Sequence, residues 1–156
     1  MVDAYQPAQF AISGLVLSRL YGPVSDPRMH TDAAWMADRT PLMADGVRVV
    51  PSGSNRFNKT DAPAVYAEIY EPGNTIGVTV TMRVFDLKPD RRTGEQKLDT
   101  GALPVKLPAV TGSASIPIVK RFPIDPLPPG SYRLEMEASD ATGKSARRTA
   151  DFEIER

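Results

Sequence analysis

There is no cysteine among the 156 residues of this chain, which excludes a disulfide framework, a thiolate metal site and a cysteine nucleophile. It has a single histidine, His30, too few for a histidine-rich metal centre. It has no excess of charge, since 19 Lys plus Arg stand against 19 Asp plus Glu. Without a net field to gather phosphate backbones or anionic lipid heads, nucleic acid is not an expected partner. The pairs Arg91-Arg92 and Arg147-Arg148 are too short to alter that and are expected to be solvated surface. No apolar run approaches the ~20 residues that span a bilayer, so membrane insertion is not expected. The first residues, Met1 to Tyr5, lack the basic-then-apolar order of a signal peptide.

What the chain does have is proline. Fifteen prolines are spread along it, and each removes a backbone donor and resists helix interiors and central strands. A mostly helical fold is therefore not expected, and the prolines mark joints. A hydrophobic share of 41% with 24% charged residues is that of an ordinary globular chain. A chain of this size buries roughly 70% of its unfolded surface, which suits one domain over residues 1–156.

Between the joints the residues alternate with period two, the mark of a strand with one buried face. Ile76, Val78, Val80, Met82 and Val84 share one face from Thr75 to Leu87, which predicts a central strand. Val65, Ala67 and Ile69 alternate with Tyr66, Glu68 and Tyr70, and Glu71-Pro72-Gly73-Asn74 supplies turn residues, so these two runs read as an antiparallel hairpin. Tyr132, Leu134, Met136 and Ala138 alternate with polar residues up to Asp140-Ala141-Thr142-Gly143-Lys144, where Gly143 can take the positive φ that closes a hairpin. The return strand places Ala146, Ala150, Phe152 and Ile154 inward, and Arg148 breaks the pattern as a strand end, an edge or a snorkelling side chain.

Ala114, Ile116, Ile118, Phe122 and Ile124, bounded by Pro117 and Pro123, predict an edge or bulged strand. Phe10 to Leu20 is apolar on both faces and reads as a first strand, with Val47 to Val50 as its short partner. The sum is about seven strands, which suits an all-β antiparallel sandwich of the immunoglobulin-like kind. Tyr21 to Gly46 has no sustained alternation and reads as a long irregular insertion, a loop or a short helix that Thr31 can cap.

Leu127-Pro128-Pro129-Gly130-Ser131-Tyr132 has the pattern of a tyrosine corner, with a Pro129-Gly130 turn feeding a strand whose first inward residue is Tyr132. Such a tyrosine buries its ring and returns its hydroxyl to backbone upstream. Tyr66 and Tyr70, four residues apart, lie on the outward face of one strand, a candidate platform for sugar or peptide, although aromatics pack across strands in the same pattern. Trp35, in the insertion, is a candidate anchor or interaction surface.

Leu98-Asp99-Thr100-Gly101-Ala102 is similar to the Asp-Thr-Gly-Ala signature of retropepsin-type aspartic proteases, whose Asp sits on a buried loop facing a second Asp. The polar residues before it, Gly94 to Lys97, do not make the apolar strand that signature follows, and Asp-Thr-Gly is also a surface turn. His30 comes with no nucleophile elbow. Asp26, Asp32, Asp38 and Asp45 do not match a Ca²⁺ loop.

From Phe122 to Ile154 the chain resembles the final two strands of a bacterial immunoglobulin-like β-sandwich domain, most closely over Pro129 to Lys144. In particular it is similar to the sandwich at the C-terminal end of large acidobacterial proteins, some of which carry a von Willebrand factor A-like domain. The resemblance implies a non-catalytic binding or spacer module of a larger, extracytoplasmic protein, whether periplasmic or secreted. It implies no cofactor, and as partner another protein or other domains of the parent chain. Carbohydrate recognition through exposed aromatics is the alternative, and an aspartic protease built on Asp99 the more distant one.

Overall fold

The structure, a computed structural model, describes residues 10–25, 42–44, 46–70, 78–87, 96–105 and 115–156. Among them run twelve strands and no helix: β1 (Ala11–Ile12), β2 (Val16–Ser18), β3 (Leu20–Pro23), β4 (Leu42–Ala44), β5 (Val47–Val50), β6 (Arg56–Asn58), β7 (Ala64–Tyr70), β8 (Val78–Asp86), β9 (Gln96–Val105), β10 (Ser115–Arg121), β11 (Gly130–Asp140) and β12 (Ser145–Glu155). They form a four-stranded sheet with β7 between β10 on one side and β1 and β2 on the other, a five-stranded sheet ordered β6-β12-β11-β8-β9, and a three-stranded sheet ordered β3-β5-β4. Every pairing is antiparallel except that of β6 with β12.

The four- and five-stranded sheets pack face to face as a β-sandwich. Their shared core takes Ile12, Leu17, Val65, Ala67, Ile69, Ile116 and Ile118 from one sheet and Val80, Met82, Val84, Leu134, Met136, Phe152 and Ile154 from the other. One end of this core is aromatic. The ring centroids of Phe122 and Phe152 lie 5.4 Å apart and tilted, those of Phe57 and Phe122 lie 6.2 Å apart edge to face, and Tyr132 stacks on Phe152 at 5.6 Å. Aromatic pairs of this kind add ~0.5–1.5 kcal/mol each beyond the area they bury.

Three sequence expectations are met among the described residues. β8 lies centrally between β11 and β9 with Val78, Val80, Met82 and Val84 buried. β11 and β12 form the C-terminal hairpin in register from Gly130–Ile154 to Ser139–Ser145, closed by Gly143 at φ 90°. β10 is an edge strand, as its prolines imply.

Three expectations are corrected. β7 and β8 do not make a hairpin: β7 belongs to the four-stranded sheet and β8 to the five-stranded one. Alternation reports which face of a strand is buried, and both strands bury a face in the same core whichever sheet they join. Val47–Val50 pairs with Leu20–Pro23 and Leu42–Ala44, not with the body of the first strand. The insertion from 21 to 46 thus begins and ends in strands, while residues 26–41 and 45 lie outside the described residues.

The first strand is apolar on both faces because it contains a bulge. Ile12 pairs with Ile69 but Val16 pairs with Tyr66, so three residues, 13–15, face two on β7. Buried parity shifts accordingly, from Phe10 and Ile12 to Leu17. Ser13 holds the bulge, donating its N–H to the Glu68 carbonyl at 2.8 Å and accepting the Glu68 N–H on Oγ at 2.9 Å.

β9 is a strand that the sequence reading leaves out. It carries Gly101 at φ 75° opposite a register shift between Thr81 and Arg83 of β8, a bulge that needs glycine because a side chain strains that backbone.

Candidate functional site

The side chains singled out in the sequence fall into separate places. Trp35, His30, Asp26, Asp32, Asp38 and Asp45 lie outside the described residues. Asp99 sits in the body of β9, paired with Arg83, so Leu98 to Ala102 is strand and bulge and neither the surface turn nor the loop that a retropepsin signature occupies.

Tyr66 and Tyr70 point to the outer face of the four-stranded sheet, as alternation requires, but they are not an open platform. Tyr66 is 4% exposed. The three-stranded sheet covers it, packing Ala44 and Val49 against it with Val16, Tyr21, Leu42 and Val119 around them. A third layer, invisible to strand periodicity, therefore buries one of the two rings. Two anchors fix that layer: the buried Ser18 hydroxyl donates to the Val50 carbonyl, and the Tyr21 hydroxyl donates to the Ala62 carbonyl at 2.7 Å.

Between the two tyrosines stands Glu68, which sequence reasoning passes over as one polar residue in an alternating run. The Tyr66 hydroxyl donates to its Oε1 and the Tyr70 hydroxyl to its Oε2, both at 2.9 Å. Burial pushes the Tyr66 phenol well above its ordinary pKa, and its donation to the carboxylate and the negative charge there push it further. The signal in the sequence is the Tyr-x-Glu-x-Tyr spacing itself, since period two puts all three side chains on one face.

Register places the surroundings of Glu68. The Tyr66 row runs from Val16 to Val119 beneath the third layer. In the next row Glu68 lies between the Ser13 bulge and the exposed Pro117 of β10, and in the one after it Tyr70 lies between Ala11 and Ser115.

Tyr132 is 1% exposed and donates its hydroxyl to the Pro128 carbonyl, four residues upstream, at 2.6 Å. Burial, with the nearby Asp86 carboxylate, raises its pKa. Pro129 is exposed on the turn and Gly130 opens β11, where an added Cβ would meet the Tyr132 ring at an ordinary contact of 3.7 Å.

A shallow groove of about 390 Å³ lies on the other sheet, beside Asn55, Arg56, Ser131, Asp151 and Glu153. Its charges are matched within the molecule: Arg56 reaches Glu153 at 3.4 Å, and Asp151 takes two hydrogen bonds from Arg133 at 2.7 and 3.0 Å. No group of three or more metal-ligating side chains occurs among the described residues.

No family model matches the chain, and no curated protein matches it. Among solved structures it is similar to a beta-glucosidase from Listeria innocua in complex with glucose, at 8% identity and a TM-score of 0.42 over 66% of this chain and 15% of that one. It is also similar to the PmoD soluble domain from Methylocystis sp., at 16% identity and a TM-score of 0.37 over 67% of this chain and 82% of that one. This chain spans a small part of the glucosidase.

Proposed function

We propose that this chain is a non-catalytic, immunoglobulin-like module of a larger extracytoplasmic protein, serving contact with a protein partner or with other domains of its parent. The observation that carries the reading is the use to which polar side chains at the junctions between strands and turns are put. Lys59 donates its ammonium to the carbonyls of Ile124, Asp125 and Leu127, Ser18 joins β2 to β5, and Arg148 donates Nε to the Ile12 carbonyl at 2.9 Å, from β12 across to β1. Each ties one strand or turn to another, which makes a rigid frame that presents surfaces. The Tyr132 bond to Pro128 supports a tyrosine corner within a Greek-key crossover.

The sheet edges favour contact through faces and loops. Pro117 on β10 and Pro104 on β9 pair with Glu68 and Thr79 at positions where the ladder leaves the proline nitrogen facing outward, so neither edge offers a full row of donors. On β12 the inward Arg148 guards the third edge. The sugar-binding alternative keeps only Tyr70 of its tyrosine pair, because Tyr66 is covered.

The test is a photo-crosslinking residue at position 117, in the full parent protein in its own cells, beside a titration of the chain with a soluble glycan panel. A discrete protein adduct, or a crosslink to another domain of the parent, supports the reading. Saturable glycan binding with no adduct would replace it with sugar recognition.

A further inference from the structure

Charged side chains on the outer face of the five-stranded sheet are matched by one another. Arg147 meets Glu137 at 2.6 Å and Glu135 at 3.7 Å, Arg83 meets Glu135 at 3.8 Å, and Arg133 and Arg56 meet their own acids. On the opposite side of the molecule the half-buried Glu68 differs. Its carboxylate accepts two phenol hydrogen bonds, and no Lys or Arg among the described residues forms an ion pair with it. A half-buried carboxylate with neutral donors alone has given up part of its hydration without gaining a counter-charge.

The clamp also fixes the geometry of the group. Each phenol occupies one lone-pair position on one oxygen, and a carboxylate has about four such positions, so each oxygen keeps acceptor capacity. Held from both sides, the carboxylate has little rotamer entropy left to lose on binding. A planar guanidinium presents two parallel N–H groups to two such oxygens. An ammonium supplies no such fork. A Ca²⁺ ion takes 6–8 oxygen ligands, more than one carboxylate and its neighbours bring together.

We infer that Glu68, clamped between Tyr66 and Tyr70, is the docking point for an arginine side chain of the partner protein. Pro117 and the Ser13 bulge form the two walls of the row in which that arginine lies. This rests on the protein-contact reading above and names the chemistry of the partner. Charge complementarity selects the occupant: a cation completes a half-buried carboxylate that no Lys or Arg among the described residues meets.

The experiment titrates the whole ¹⁵N-labelled chain with N-acetyl-arginine methylamide and, in parallel, with its citrulline counterpart, which keeps the shape and loses the charge. Saturable shifts are expected at the amides of Ala11–Ser13, Glu68–Tyr70, Ser115, Ile116 and Ile118, with affinity about tenfold lower for citrulline, the equivalent of ~1.4 kcal/mol. Glu68→Gln should lower arginine affinity by a similar factor. Tyr70→Phe, which removes one clamp and keeps the ring, should weaken it less and leaves a folded control if Glu68→Gln disturbs the sheet.

Equal affinity for both probes, unchanged binding in Glu68→Gln, or shifts induced instead by free monosaccharides would overturn the inference. A position-117 adduct that persists in Glu68→Gln would reject the arginine site and leave the contact reading standing. Loss of every adduct in the parent protein itself would reject both.

Discussion

The hydroxyl of Tyr132 and the carbonyl of Pro128, 2.6 Å apart, fasten the start of β11 to the turn before it, while the Tyr132 ring lies stacked on Phe152 of β12. Tyr132→Phe keeps the stack and removes the bond. It should cost ~0.5–1.5 kcal/mol, the net worth of one such hydrogen bond. Tyr132→Ala should cost ~3–5 kcal/mol as a core truncation. Urea denaturation of the two variants measures both, and equal losses would show that the bond, not the ring, holds this corner.

Lys59 makes a second fastening of the same region, from the other side. Its ammonium is shared by three carbonyls of the 124–127 turn, which the bond from the Leu127 N–H to the Ile124 carbonyl at 2.9 Å also closes. Lys59→Met keeps most of the stem and strips the carbonyls of their donor. A loss of ~1–3 kcal/mol is expected, with faster amide exchange at Leu127 than at the centre of β11.

The β11–β12 hairpin should be acid-sensitive. Asp140 accepts the Thr142 hydroxyl at 2.6 Å and the Thr142 and Lys144 amides at 2.9 and 3.0 Å, and these bonds, the hydroxyl first, hold its pKa below the usual carboxylate value. The bonds from Arg133 do the same for Asp151. A carboxyl with a depressed folded pKa binds fewer protons folded than unfolded, so stability rises with pH across that window. It should be fully present above the ordinary carboxylate range, near pH ~4, and fall as pH drops through the folded values. Asp140→Asn should flatten part of this acid limb in melting curves between about pH 2 and 5, and an unchanged limb would remove Asp140 from the account.

Arg148 stands exposed on the stretch of β12 that β6 leaves without a strand partner. Its neighbours in the inward row, Ala146 and Ala150, pack on the core, and β12 is covered by β6 only from Glu153 to Glu155. Arg148→Val should therefore leave the melting temperature nearly unchanged, since apolar surface replaces a single polar link. It should also promote self-association through the uncovered edge. Light scattering during a concentration series decides it, and a variant that stays monomeric would show that the edge is protected by something else.

Much of the frame is legible from alternation alone. Val78 to Val84, Tyr132 to Ala138 and the Phe152–Ile154 pair fall on the inner face because period two is a property of the extended backbone. Pro117 marks its strand as an edge because a proline has no N–H to place in a central ladder. Phe10 to Leu20 is harder to read, because the one-residue bulge at Ser13 to Leu15 reverses the parity halfway along. β9 escapes because its bulge at Gly101 and its polar start hide the same signal.

By itself, then, the sequence determines the chemical class of the fold: strands, their inward faces, the C-terminal hairpin and the absence of cysteine chemistry. Tertiary structure alone decides which sheet each strand joins, since β7 and β8 have compatible faces and end up on opposite sides of one core. It also decides that Tyr66 is covered by a third layer from β3, β4 and β5, and that Glu68 stands between two phenols with no described cation to meet it. The reason is range: alternation is set between residues two apart, whereas burial of an outer face and compensation of a charge depend on segments brought together from distant parts of the chain.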